Sequence, residues 1–349
     1  MTGGNISTAK GYGFKNEGTL TVSGGNISSE TGYAIYNQST ANATLTGGEL
    51  SSVKNVLGNY GTMEVGGSAI VNSEAASSPT LINFGTGILT IKGGTISAKT
   101  TYAVWNKAGG NITISGGTVS SKSSCSVYNE STANTTISGG NLSSISSQAL
   151  RNYGILGIEG TVQIKSQAGD SSAVINYDGG QLTLSGGKII STGQGIDNLQ
   201  GATLSMTGGT IESSTGIDNR KGATATILGG TITTSGGAAI NNSGSEEIGG
   251  TVQISAEGFF AIVNQVQGSL TISGGRIYSV DSHTINNAGT LLVDNGTITA
   301  TNKDAIRNND GTLTVNGGTI TATNGYGINN SESGTITING GTISSKNNC

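Results

Sequence analysis

Gly32-Tyr33-Ala34-Ile35-Tyr36-Asn37 is one of fifteen versions of a short phrase that recurs along this 349-residue chain. In each version a branched or bulky apolar residue stands two places before an asparagine. The asparagines are Asn16, Asn37, Asn59, Asn83, Asn106, Asn129, Asn152, Asn176, Asn198, Asn219, Asn242, Asn264, Asn287, Asn308 and Asn330. Successive gaps run from 21 to 24 residues, and a fixed period in this range marks a solenoid. In a strand, residues two apart share a face, so Asn37 points where Ile35 points. If that face is the core, a lone buried amide would leave donors and acceptors unpaired, at a cost of roughly 1–3 kcal/mol. Stacking one asparagine on the next, about 4.8 Å away, lets each amide bond its neighbour. That solution exists only if the coils stack in parallel.

A whole coil can be read from Gly311 to Asn330. Thr312-Leu313-Thr314-Val315-Asn316 reads as a strand, Gly317-Gly318 as a corner, and Thr319-Ile320-Thr321-Ala322 as a second strand. Thr323-Asn324-Gly325 turns again, and Tyr326-Gly327-Ile328-Asn329-Asn330 is the third strand. The sequence thus predicts an all-β fold: a single-stranded, right-handed parallel β-helix (β-solenoid) of about 15 coils of 21–24 residues. Each coil has three short strands, and the asparagines form an interior ladder. Residues 1–349 read as one continuous domain. Three coils depart from the norm, Gly67 to Asn83, Gly160 to Asn176 and Gly250 to Asn264. In them the arc from asparagine to corner shortens and the next arc lengthens, which reads as a relocated corner every fourth coil.

Composition agrees. There are 60 glycines without a Gly-X-Y triplet, one proline, and 10% charged residues, and Thr, Ser, Ile and Val suit strands. A formal charge of −4 gives no basic footprint for nucleic acid. No run approaches a membrane span, so no membrane insertion is expected of this segment. Cys125 and Cys349 occupy the same phase ten coils apart, roughly 48 Å at the coil spacing, too far for a disulfide. The first and last residues fall in mid-coil without polar caps. On that ground the chain is expected to be a fragment of a longer protein, with end-to-end self-association as the sharper alternative.

Candidate sites follow from phase. The residue before each ladder asparagine faces outward, which sets Ile82, Trp105, Tyr128 and Arg151 on consecutive coils. The only tryptophan beside a tyrosine on a flat sheet is a platform for a sugar ring or a partner protein. Asp197 and Asp218 stand in matching Gly-Ile-Asp-Asn units on adjacent coils, near Arg220. Two carboxylates about 5 Å apart could hold a metal ion, Ca²⁺ by their chemistry, or act as an acid/base pair; otherwise no cofactor is expected. His283, the sole histidine, shares the phase of Cys125, Phe260 and Tyr326 and reads as corner packing, as do Tyr12, Tyr33 and Tyr102. Thr-X-Thr units such as Thr19-Leu20-Thr21 resemble ice-binding solenoids, but lysine, serine or alanine interrupts the column.

Units of the form Ser-Gly-Gly-Thr-Ile followed by Tyr-Ala-Ile-Tyr-Asn resemble the pectin-lyase-like superfamily of right-handed parallel β-helices. More narrowly, they resemble the adhesin-like repeat regions of bacterial surface proteins. The resemblance covers essentially all residues. It implies a secreted or cell-surface stalk and recognition surface that contacts a glycan or a host or cell-surface protein. The superfamily's enzymes imply an alternative, a polysaccharide lyase or hydrolase with Arg220, Asp197 and Asp218 at its centre. The Asn-Thr-Asp, Asp-Asp and Gly-His-Gly motifs of galacturonases are missing here.

Overall fold

The structure is a computed structural model that describes residues 1–347, so Cys349 and the predicted lack of a bridge to it lie outside the described residues. Among the described residues there are 35 strands and no helix. Successive coils pair in parallel, with in-register partners such as Val104↔Val127 and Ile240↔Ile262. The strands gather into two compact units, Met1–Ile175 with Gly179–Leu182, and Asn176–Asp178 with the chain from Thr183 onward. Each unit is a parallel β-solenoid.

In the first unit the ladder climbs by Nδ2-to-Oδ1 bonds: Asn16 to Asn37 2.7 Å, Asn37 to Asn59 2.9 Å, and Asn59 to Asn83 2.8 Å. It continues from Asn83 to Asn106 and Asn106 to Asn129, both 3.0 Å, and from Asn129 to Asn152 at 2.9 Å. The second unit has its own file from Asn176 to Asn330, with rungs between 2.7 and 2.9 Å. Each amide also donates to nearby backbone carbonyls, as Asn129 does to Ala133 and Ile155. Fourteen of the fifteen asparagines are buried, and Asn330 is exposed. The apolar columns beside the ladder supply the net driving force, roughly 1.5–3 kcal/mol per large side chain removed from water. Ile91, Ile114 and Ile137 stand in one such column, each fully buried.

The coil from Gly311 to Asn330 has the three strands read from its sequence, Thr312–Val315, Thr319–Ala322 and Ile328–Ser331. In most coils the hydrogen-bond ladder runs through the glycine corner as a bulge, giving eleven-residue strands such as Asn134–Ser144, followed by three-residue strands such as Leu150–Asn152. The Gly139-Gly140 pair shows why both glycines are needed. Gly140 has φ of 86°, and a Cβ on Gly139 would sit 2.4 Å from the carbonyl oxygen of Ser115 in the coil below. Where the corner was read as relocated, the long strand breaks in two: Thr62–Val65 and Ile70–Ser73, Ile155–Ile158 and Gln163–Ser166, Ser245–Ile248 and Gln253–Ala256. An extra residue at each break, Ala69, Val162 or Val252, is fully buried, so the wider corner is filled from inside.

One column escaped the sequence reading. A buried serine at the end of the long strand donates to a carbonyl at the corner of the preceding coil. Examples are Ser52 to Gly32 at 2.9 Å, Ser144 to Ser124 at 2.7 Å and Ser279 to Phe259 at 2.9 Å. These bonds tie down the corner next to the asparagine strand. The core also holds an anomaly in the second unit: Glu246 points inward between Ala225 and Leu270. It is 3% exposed, and neither carboxylate oxygen has a hydrogen-bond partner.

Candidate functional site

The residue before a ladder asparagine faces outward, and strand alternation puts the residue after it on the same side. A third position, four residues before the asparagine, comes off the corner beside them. In the first unit these three positions carry nine rings: Tyr12, Tyr33, Tyr36, Tyr60, Phe84, Tyr102, Trp105, Tyr128 and Tyr153. They form two runs of ring contacts, Tyr12 to Phe84 and Tyr102 to Tyr153. Tyr12 stacks on Tyr36 at 4.9 Å, Tyr36 meets Tyr60 at 5.6 Å, and Tyr60 stacks on Phe84 at 4.3 Å. The Lys107 ammonium bridges the next step, 5.8 Å from the Phe84 ring and 4.1 Å from that of Trp105. Trp105 meets Tyr102 and Tyr128 at 5.9 Å, and Tyr128 meets Tyr153 edge-on at 5.6 Å. Such ring pairs contribute about 0.5–1.5 kcal/mol beyond burial, so the stripe stiffens this side of the unit.

Gly58 makes room for two of the rings. It holds the outward position before Asn59, and a Cβ there would fall 2.9 Å from Tyr33 and 3.1 Å from Tyr36. Tyr33 and Tyr36 are held in the neutral form, each pushed up to about 12, chiefly by burial among these neighbours.

The four residues of the predicted patch fall on consecutive coils, but their exposure differs from the expectation. Trp105 pairs with Ile82 on one side and Tyr128 on the other, and Tyr128 pairs with Arg151. Ile82, expected as a surface contact, is only 5% exposed. It lies between Gly58 and Trp105 in a stretch flanked by the Tyr60 and Phe84 rings, so it supports the stripe from within. Trp105, Tyr128 and Arg151 are half-buried, and the Trp105 Nε1 is buried without a partner. The Arg151 guanidinium lies 5.9 Å from the Tyr102 ring, and Gln148, with its carboxamide oxygen turned that way, accepts from Nη2 at 2.8 Å.

In the second unit, Asp197 and Asp218 are register partners on adjacent coils, as expected. Arg220 neutralises both: its Nε donates to Asp197 at 2.8 Å and its Nη2 reaches Asp218 at 3.0 Å. Burial, partly offset by Arg220, raises the Asp218 carboxyl above its ordinary value. No cluster of three or more His, Cys, Asp or Glu able to hold a metal occurs among the described residues. A side-chain cation thus occupies the position a Ca²⁺ ion would need, and two carboxylates make a poor donor set for an ion that takes 6–8 oxygens. Beside the pair is a notch of about 250 Å³ lined by Gln194, Thr215, Ile217, Asp218, Ala238 and Asn241. It arises from a shortened corner: six steps separate Ser213 from Asn219, against eight from Ser121 to Asn129. The strand Thr203–Asn219 runs unbroken through that point, and the Ser213 hydroxyl, with no corner carbonyl to meet, has no partner.

No family model, curated protein or solved structure matches the chain. Function is read from this geometry alone.

His283 and Cys125 stand at corners, as their phase implied. The His283 ring stacks on Phe260 at 5.9 Å, and its Nδ1 lies 3.2 Å from Asp304. Burial dominates and lowers its pKa. Cys125 is buried, and its thiol is pushed up to about 12 by desolvation, which leaves it inert as a nucleophile. Tyr60, Phe84 and Tyr153 are the functional candidates that sequence reading missed. The signal was present at the position after the asparagine, a column as outward as the one before it.

Proposed function

We propose that the protein is an extracellular or cell-surface, adhesin-like β-solenoid that serves as a stalk and recognition surface for glycans. One observation carries this reading: nine aromatic side chains of the first unit line its outward columns in two runs of ring contacts, Tyr12 to Phe84 and Tyr102 to Tyr153, with the Lys107 ammonium set between the runs. Flat aromatic faces on a rigid sheet complement the C–H faces of pyranose rings, and the coil rise, about 4.8 Å, is close to the length of one sugar in an extended chain. The rings are pre-ordered by mutual packing, so little conformational entropy is lost on binding. Glycan-array binding by the purified protein tests the reading: Trp105→Ala should lose most of the signal, and unchanged binding would remove the stripe from consideration.

The Asp218 notch favours a second reading, a carbohydrate-active enzyme, because a carboxyl raised by burial beside an arginine suits acid/base chemistry. Incubation with acidic and neutral polysaccharides, with and without calcium, discriminates. New reducing ends or unsaturated products that vanish in Asp218→Ala would replace the adhesin reading.

A further inference from the structure

The stripe is not uniform. Around Trp105 three rings converge, with Tyr102 and Tyr128 4.9 Å apart and each 5.9 Å from Trp105. Two cations bracket them: Lys107 lies over the Trp105 ring, and Arg151 lies beside Tyr102. Among the described residues neither cation forms a salt bridge, and what sets them apart is that both lie against rings of one cluster. The nearest acid by coil position is Glu130, one coil from each cation, and its carboxylate accepts instead from the Ala108 amide at 3.0 Å. In a chain with net charge −4, two cations held over aromatic faces without carboxylate partners form a local positive site.

We propose, building on the glycan reading above, that this cluster selects an acidic linear glycan. Successive pyranose rings lie along the cluster from Trp105 to Tyr128, and their acid groups, carboxylate or sulfate, are taken one by Lys107 and another by Arg151. The two cations belong to coils two apart, roughly 10 Å along the unit. That separation spans about two sugar residues, so two acid groups one disaccharide apart engage the two cations at once. Arg151 presents a planar fork suited to a carboxylate or sulfate, and Lys107 a point charge. The ring faces give affinity for sugars in general, and the cations choose among them.

The experiment uses the full chain in affinity electrophoresis against three soluble polymers: a polyuronate, a sulfated galactan and a neutral β-glucan, with an oligo-glutamate peptide as competitor. The wild type should bind one or both acidic polymers more tightly than the neutral one, with affinity falling as NaCl rises. The double variant Lys107→Gln/Arg151→Gln should lose about tenfold for the acidic polymers and little for the neutral one, in line with two partly exposed charge contacts. Comparison of the two acidic arms tells carboxylate from sulfate. If acidic and neutral polymers bind equally and the double variant matches wild type, the acid selectivity is wrong while the glycan reading stands. If no polymer binds, or Trp105→Ala changes nothing, the glycan reading itself fails, and the inference with it. Displacement by oligo-glutamate as effective as by the polyuronate would overturn the proposal in favour of an acidic protein partner.

Discussion

Replacing Glu246 should stabilise the second unit, and by an amount that depends on pH. The side chain is buried in the column between Ala225 and Leu270, and its oxygens are unpartnered. Burial, with a smaller contribution from the Asp218 charge, pushes its carboxyl from 4.5 up to about 8. The folded protein therefore holds, at neutral pH, a proton that the unfolded chain has released. For a carboxyl raised in this way, stability is highest below the unfolded value of 4.5 and falls as pH rises towards 8. At about 1.36 kcal/mol per pH unit, the loss at pH 7 is roughly 3 kcal/mol. Glu246→Leu removes that linkage along with the unpaired oxygens, and Glu246→Gln removes the linkage alone. Because a solenoid opens coil by coil, amide hydrogen exchange of Ser245–Ile248 is the most local readout, with urea unfolding as the companion measurement. His283, whose pKa burial lowers, also titrates, but variant-minus-wild-type differences cancel it. The advantage of Glu246→Gln over wild type should be small near pH 5 and grow to about 3 kcal/mol by pH 7, and Glu246→Leu should show the same growth on top of a pH-independent gain from removing the unpaired oxygens. A difference that does not change between pH 5 and pH 8 would refute the reasoning.

Three further outcomes follow from the same geometry. Asn129→Leu removes the acceptor of Asn106 and Thr135 and the donor to Asn152, leaving several buried groups unpaired; urea unfolding should show a loss of about 3–5 kcal/mol. Gly58→Val forces the Tyr33 and Tyr36 rings off the sheet, and near-ultraviolet circular dichroism should change while the far-ultraviolet β signal persists. Arg220→Met leaves Asp197 and Asp218 facing each other without a cation; the apparent carboxyl pKa of Asp218, followed by carbon NMR, should rise further, and a fall would contradict the assignment of Arg220 as their shared partner.

Much of this fold was legible because one physical demand repeats: a buried amide must find a partner, so the asparagine phase exposes the coil boundaries and the parallel stacking together. The relocated corners at Gly67, Gly160 and Gly250 were legible too, since an arc that lengthens beside one that shortens conserves the circumference. What stayed hidden was tertiary. A glycine pair reads as a break, yet hydrogen bonding passes through it as a bulge because each carbonyl still meets the coil above. The serine column escaped because serine is common at every position, and only depth separates Ser144 from its solvent-facing neighbours. Ile82 looked outward by phase, but the bulk of neighbouring rings decides exposure, and alternation does not encode it. Glu246 falls at a position that calls for an apolar residue, and the sequence alone does not separate a shifted register from a buried acid.

The central claim is that the asparagine side chains, not the backbone alone, hold the coils in register. Side-chain amide hydrogen exchange, measured by NMR on ¹⁵N-labelled protein, tests this directly. The Nδ2 protons of Asn59, Asn83, Asn106 and Asn129, and of Asn219, Asn242 and Asn264, should be protected by at least about 10³-fold relative to exposed amides such as Asn111 and Asn295. Exchange at the exposed rate across both sets would mean that these amides meet water, and would contradict the ladder.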